Sequence, residues 1–201
     1  TPDEDGLPRE QASAELREQW SIPPDALLGL FVAHNFKLKG LLQLLKASAE
    51  LRRRQSDLDW RLLVVGRDDS RPYVDAARDL GIEDRVVFVG PTERIARFYR
   101  GADLLVLPTF YDPCSRVVLE AISLGAPAVT TQYNGAGEVL NGGAGKVVAD
   151  PHDAGELADA IAFYADPSAR AAAHDAGLAL GDHLSMRRHA DEMIAIYEGL
   201  G

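Results

Sequence analysis

Up to about residue 150, apolar runs of strand length alternate with amphipathic stretches of helical length. The runs at 27–33, 61–66, 85–89, 103–108, 126–131 and 145–148 are rich in Val, Leu or Phe. Most lack the period-two polarity of a strand with one wet face. Strands covered on both faces by helices have this pattern, which predicts a parallel sheet built from successive β-α-β units. Helices are predicted over 40–54, 72–80, 93–99 and 116–124, several ending at or just before a glycine, with a short one over 10–20. After Asp153 the pattern is helical only, over 154–164, 167–177 and 186–198, with Asp-Pro and Gly-Asp breaks between. The expected fold is therefore α/β, a Rossmann-like doubly wound parallel sheet of about six strands with a C-terminal helical tail from about residue 153. Residues 1–24 read as a linker with one helix, and residues 25–201 as a single domain. No internal repeat is present, and the alanine-rich stretch at 169–176 is a simple helix former.

Composition narrows what this layout can do. A chain of 201 residues with 46% hydrophobic content can bury one sizeable core. A formal net charge of -10 excludes broad attraction to nucleic acid or an anionic membrane, because both need clustered Lys and Arg in excess. An anionic ligand must be met by local charges. The single cysteine, Cys114, cannot close an internal disulfide, and no Cys/His spacing matches a zinc site, which points to a reducing compartment, the cytoplasm. No apolar run is long enough to span a membrane, and no signal core follows a charged start. Thr1 opens an acidic, Gly- and Pro-punctuated stretch to Gly6, as expected of a piece cut from a longer chain.

In an open doubly wound sheet, ligands bind beyond the carboxyl ends of the strands. After the first strand, His34-Asn35-Phe36-Lys37-Leu38-Lys39-Gly40 places Lys39 at a helix start, where free amides and the helix dipole add to a lysine charge and favour an anion. The alternative is that Lys37 and Lys39 are solvated loop charges. After the fourth strand, a helix beginning near Ser115 offers a second set of free amides. Glu120, between Leu119 and Ala121 of that helix, is hard to bury unless something polar meets it. Ribose hydroxyls would do so; a solvent-facing position on an amphipathic helix is the other reading.

At these residues the chain resembles the retaining glycosyltransferases of GT-B fold grouped as family 4. That family carries a Glu, seven residues and a second Glu leading into a helix. Here Asp112 and Glu120 hold that frame, followed by Ala121-Ile122-Ser123-Leu124-Gly125-Ala126-Pro127. Further matching segments are Phe31-Val32 through Lys39-Gly40, Val64-Val65-Gly66, Val87 to Gly90, Ala102 to Pro108, and Glu138-Val139-Leu140 before Gly142 and Gly145. Within the family the chain is similar to bacterial enzymes that add glucose to the lipopolysaccharide core. The resemblance implies a nucleoside-diphosphate sugar lying across the loops. Lys39 would bind the diphosphate, with Gly66 and His34 in the flanking loops. Glu120 would take the ribose hydroxyls, and the backbone of Phe88, Val89 and Gly90 would border the base. Amides around Ser115, Arg116 and Val117 would touch phosphate or sugar hydroxyls, and Asp112, the catalytic candidate, would hold hydroxyls of the transferred sugar. It implies no cofactor and no metal, since the lysine and helix end compensate the departing diphosphate. It also implies an amino-terminal acceptor domain as partner, without which this half binds donor weakly and transfers nothing, and peripheral association with the inner face of the membrane as one setting for the full enzyme.

Three departures alter these expectations. Asp112 is one methylene shorter than the usual Glu, Ala33-His34 stands where many members have Gly-Arg, and Arg116 replaces a small or aliphatic residue. Arg116 either restores the lost charge or merely covers surface. Other signals are set aside. The stretch 142–147 lacks the first glycine and the hydroxyl of a triphosphate loop, no G-x-G-x-x-G follows the first strand, and Asp57-Leu58-Asp59 precedes a strand, on the wrong edge for a ligand. His152, His174, His183 and His189 have no partners at ligand spacing, and Cys114 reads as a small packed thiol. Two other function classes stay open: a non-catalytic doubly wound regulatory module, and a sugar-nucleotide epimerase of the same outline.

Overall fold

The computed structural model describes residues 6–181 and 183–199. Residues 1–5 of the expected linker, and residues 182, 200 and 201 of the tail, lie outside the described residues. At the centre is β1 (Leu27–Val32), a strand without a charged or polar side chain. It pairs in parallel along its whole length with β2 (Trp60–Val65), and at Gly29 and Leu30 with β4 (Leu104–Leu107). With β3 (Val86–Gly90), β5 (Ala128–Thr131) and β6 (Gly145–Val148) these make one parallel sheet of 6 strands in the order β3-β2-β1-β4-β5-β6. This is the doubly wound sheet that the apolar runs predict. Three strands, β1, β4 and β5, are shorter than their runs: β5 starts one residue past Pro127, which has no N–H to give a ladder.

The described residues form nine α-helices. On one side α2 (Leu41–Arg54) packs against α3 (Arg71–Asp79) and α7 (Ala154–Phe163). On the other, α4 (Ile95–Gly101) packs against α1 (Arg9–Gln19) and α5 (Arg116–Ser123), and α5 against α8 (Pro167–Ala179). The strands between them are buried: every residue of β4 and β5 is, and all but one residue in each of β1 and β2. Two elements have no counterpart in the apolar pattern, the four-residue α6 (Gly137–Leu140) and a 3-10 turn at Glu83–Arg85. Both are too short for a helical period to register. The tail ends in α9 (Met186–Gly199), and no described helix is long and apolar enough to cross a membrane.

The helix that opens the expected linker is packed into this body, with Ala12 and Leu16 fully buried. Its Arg17 reaches the amino ends of the central strands, donating to the carbonyls of Pro23 and Ala26 and, at 2.8 Å, to Asp103. Asp103 also accepts the N–H of Leu28 at 2.9 Å, and Arg9 and Arg170 approach it at 3.6 and 3.9 Å. One carboxylate therefore ties α1, α8, β1 and the start of β4 together at the end of the sheet opposite the strand carboxyl termini.

Two outcomes follow for stability. Asp103→Ala leaves three guanidinium groups and the Leu28 amide without their shared acceptor, and urea denaturation should show a loss of about 2–4 kcal/mol. A change below about 0.5 kcal/mol, typical of a surface site, contradicts this role. The second concerns Tyr99 and Tyr164, each 1% exposed. Burial pushes the Tyr164 phenol up to about 12, and burial, reinforced by the Glu120 carboxylate, raises that of Tyr99. Unfolded phenols ionise near pH 10, so above that pH the unfolded state has lost protons that the folded state keeps, and stability falls as pH rises. Absorbance titration should find at least two of the 6 tyrosines ionising only as the fold is lost; all titrating near pH 10 with the fold intact contradicts it.

Candidate functional site

The strand order reverses between β1 and β4, so the loops leaving their carboxyl ends diverge and open a crevice, the position where such sheets take ligands. The two loops are clamped at their base. Gly40, at φ 78, precedes α2 so close to β4 that a Cβ on it would lie 2.1 Å from the Pro108 carbonyl oxygen. The Phe110 N–H donates to the Leu38 carbonyl at 3.0 Å. This clamp carries Lys39 across to the other loop, where its ammonium meets Asp112 Oδ2 at 2.7 Å and the Tyr111 carbonyl at 3.2 Å. Asp112 is itself held between strands: its N–H donates to the Tyr133 carbonyl, its carbonyl accepts from Gly135, and Oδ1 accepts the Cys114 N–H. The side chains of Lys39 and Asp112 are 20% and 15% exposed, so the pair is partly desolvated yet open to a ligand.

Ser115 is the N-cap of α5, in an extended conformation. It is buried and donates its N–H to Asn134 Oδ1 at 3.1 Å. The first amides of α5 have no intrahelical carbonyl to meet, and Ser115, Arg116 and Val117 line the crevice. Glu120 stands one turn further on. Its carboxylate accepts from the Tyr99 hydroxyl at 3.3 Å and from the Arg116 guanidinium at 3.2 Å, and its side chain is 22% exposed. Glu120 is thus neither a fully solvated surface acid nor an unmet buried one. Arg116 is 84% exposed and its charge is taken up by Glu120. Tyr99 is a site residue that sequence reasoning missed. Its only signal is a polar-tipped aromatic in the last turns of an otherwise ordinary amphipathic helix.

These groups border a cavity of about 450 Å³ that His34, Lys39, Gly66, Asp112, Ser115, Arg116, Val117 and Glu120 all line, joined by Arg67, Pro91, Thr92 and Tyr99. Phe88, Val89 and Gly90 are not among its lining. They lie within β3 beside β2, and the Gly90 carbonyl accepts the Gly66 N–H at 3.0 Å. On this side the cavity is lined instead by Pro91 and Thr92, just past the end of β3. Asp59 lies just before the amino end of β2, paired with Arg61 and Arg85 at 2.7 and 2.8 Å, at the opposite end of that strand from the crevice. His174 contacts the Gly125 carbonyl, His152 stacks near Phe110, and Cys114 is exposed rather than packed. Among the described residues no three His, Cys, Asp or Glu side chains gather as metal ligands.

Comparison with known proteins agrees with this layout. A D-inositol 3-phosphate glycosyltransferase 2 from Catenulispora acidiphila is 37% identical over 167 residues, which cover 78% of this chain and 39% of that protein. The solved structure of WaaG, a glycosyltransferase involved in lipopolysaccharide biosynthesis, superposes with a TM-score of 0.78 at 26% identity over 85% of this chain and 46% of that one. Anabaena HepE, solved in complex with UDP and glucose, shares the fold with a TM-score of 0.80 at 21% identity, over 96% of this chain and 55% of its own. The chain thus spans about two fifths of the length of the curated relatives it matches. The model of the family described as glycosyl transferases group 1 matches residues 27–166, from the central strand through α7, and this chain belongs to that family.

Proposed function

We propose that this chain is the donor-binding half of a glycosyltransferase that moves a hexose from a nucleoside-diphosphate sugar to a saccharide or lipid-linked acceptor with retention of anomeric configuration. The observation that carries it is the placement of Glu120 on the cavity wall, beside the free amides of α5 and across from Lys39. A carboxylate with two lone-pair directions still open suits vicinal ribose hydroxyls, which donate to it. The diphosphate then lies between the α5 amides and Lys39, whose three N–H donors allow it to keep Asp112 while giving one to a phosphate oxygen. Asp112 faces the hexose and accepts from its hydroxyls. When the bond from the anomeric carbon to the diphosphate oxygen breaks, charge grows on that oxygen, and the same lysine and amides stabilise it. The reading therefore needs no metal.

WaaG acts in lipopolysaccharide biosynthesis and HepE was solved with UDP and glucose, which makes a uridine-linked hexose the first donor to try and a cell-envelope saccharide the first acceptor class. The relatives' greater length is where an acceptor domain in front of the crevice belongs. We place the full enzyme in the cytoplasm, at the inner face of the membrane when its acceptor is lipid-linked, on the strength of the single cysteine in this chain. The 201 residues alone should bind donor and transfer nothing.

Calorimetric titration with UDP, GDP and ADP should find one that binds. Glu120→Ala should weaken it by about 10- to 100-fold, the worth of one to two hydrogen bonds to a charged group. Binding by none of the three, or binding indifferent to Glu120→Ala, contradicts the assignment.

A further inference from the structure

The two carboxylates of the cavity each already hold a cation, Asp112 with Lys39 at 2.7 Å and Glu120 with Arg116 at 3.2 Å. His34 offers an imidazole rather than a permanent charge. A diphosphate entering this cavity therefore finds its two lysine and arginine neighbours half neutralised. One further cation lines the same space: Arg67, exposed, with no hydrogen-bond or ion-pair partner for its side chain among the described residues.

Its place is fixed from both sides. Gly66 packs on the loop after β1 so tightly that a Cβ on it would lie 1.9 Å from the Ala33 carbonyl oxygen. Asp68 Oδ2 accepts the Phe36 N–H at 2.7 Å. Arg67 thus sits between two residues anchored to the loop at 33–36 that carries His34. The acids next to it in sequence are engaged elsewhere. Asp68 is turned to Phe36 and to the Asp69 N–H, and Asp69 grips the Arg71 guanidinium through both oxygens, a contact that holds its carboxyl down at about 2. The guanidinium of Arg67 is the surplus positive charge of the cavity.

We propose that Arg67 is a phosphate-binding residue of the donor site, supplying from the loop after β2 the permanent cation that His34 does not supply. The inference rests on the donor-site reading above. A guanidinium is suited to the task because its planar fork meets two phosphate oxygens at once. Arg67 acts on the diphosphate and not on the nucleoside, and that separation makes it testable.

The test compares wild type, Arg67→Gln and Arg67→Lys for affinity toward UDP and uridine, with the GDP/guanosine and ADP/adenosine pairs alongside, using calorimetry for the diphosphates and NMR titration for the nucleosides. Arg67→Gln should weaken the preferred diphosphate about tenfold, the usual worth of one charge-assisted contact. It should leave the matching nucleoside unchanged, and Arg67→Lys should recover part of the loss. Diphosphate affinity unchanged in Arg67→Gln, or diphosphate and nucleoside weakened equally, overturns the role of Arg67. If Glu120→Ala still weakens binding in that case, the donor site stands without it. Wild type that binds none of the diphosphates overturns the donor-site reading and this inference together.

Discussion

The pairing of β1 with β4 is the constraint from which the rest of the site follows. It spans only Gly29 and Leu30 against Leu104 and Leu105, yet it is where the sheet stops growing in one direction and begins to grow in the other. At the amino end of this seam, Asp103 holds the Leu28 amide and Arg17. At the carboxyl end, Gly40 against Pro108 and Phe110 against Leu38 lock the two outgoing loops together. Between these two fastenings the loops are free to differ in direction but not in height. Lys39 from one and Asp112 from the other consequently arrive within an ion-pair distance although 72 residues separate them in sequence.

Charge inside the crevice is organised by the same geometry. A chain with a net charge of -10 cannot attract an anion by its overall field. It presents a small cluster of cations, two of them tethered to carboxylates that a sugar donor would also contact. Tethering holds the largely buried Lys39 ammonium at the cavity and avoids the cost of a bare charge there, whereas Arg116, 84% exposed, is held to the cavity wall by Glu120 without such a cost. The α5 amides add partial positive charge that no carboxylate can cancel through a proton or a rotamer change. On the proposed donor-site reading, a phosphate would meet fixed dipoles plus a few cations, an arrangement that sits in the fold before any ligand arrives.

Much of this was legible in the sequence, for reasons that differ between residues. The strands were visible because a sheet covered on both faces needs unbroken apolar runs, as 27–33 and 61–66 provide. Their ends were less so, since polarity at a strand terminus does not say which residue makes the last ladder bond. The run at 85–89 ends one residue short of β3, which continues to Gly90, and the cavity lining on that side is Pro91 and Thr92. Glu120 stood out as an acid in an apolar helix and Lys39 as a cation at a helix start. Tyr99 and Arg67 did not stand out. Tyr99 looks like any aromatic in an amphipathic helix until its hydroxyl is seen at Glu120. Arg67 looks like one charge in the run Arg67-Asp68-Asp69-Ser70-Arg71 until its neighbours are seen paired elsewhere. Both belong to the cavity through tertiary contacts that no periodicity encodes. The α1 helix was likewise visible as a helix but not as part of the core, because only the packing of Ala12 and Leu16 shows it.

Amide hydrogen exchange of this chain with and without saturating nucleoside diphosphate tests the central claim most directly, because it reports where a ligand sits without presuming the sugar, the acceptor or any one side chain. Slower exchange on binding is expected in three separate stretches that only the fold brings together, at 33–40, 66–69 and 115–120. Protection confined to another surface, or binding that leaves all three stretches unchanged, would contradict a donor site at the reversal of the sheet.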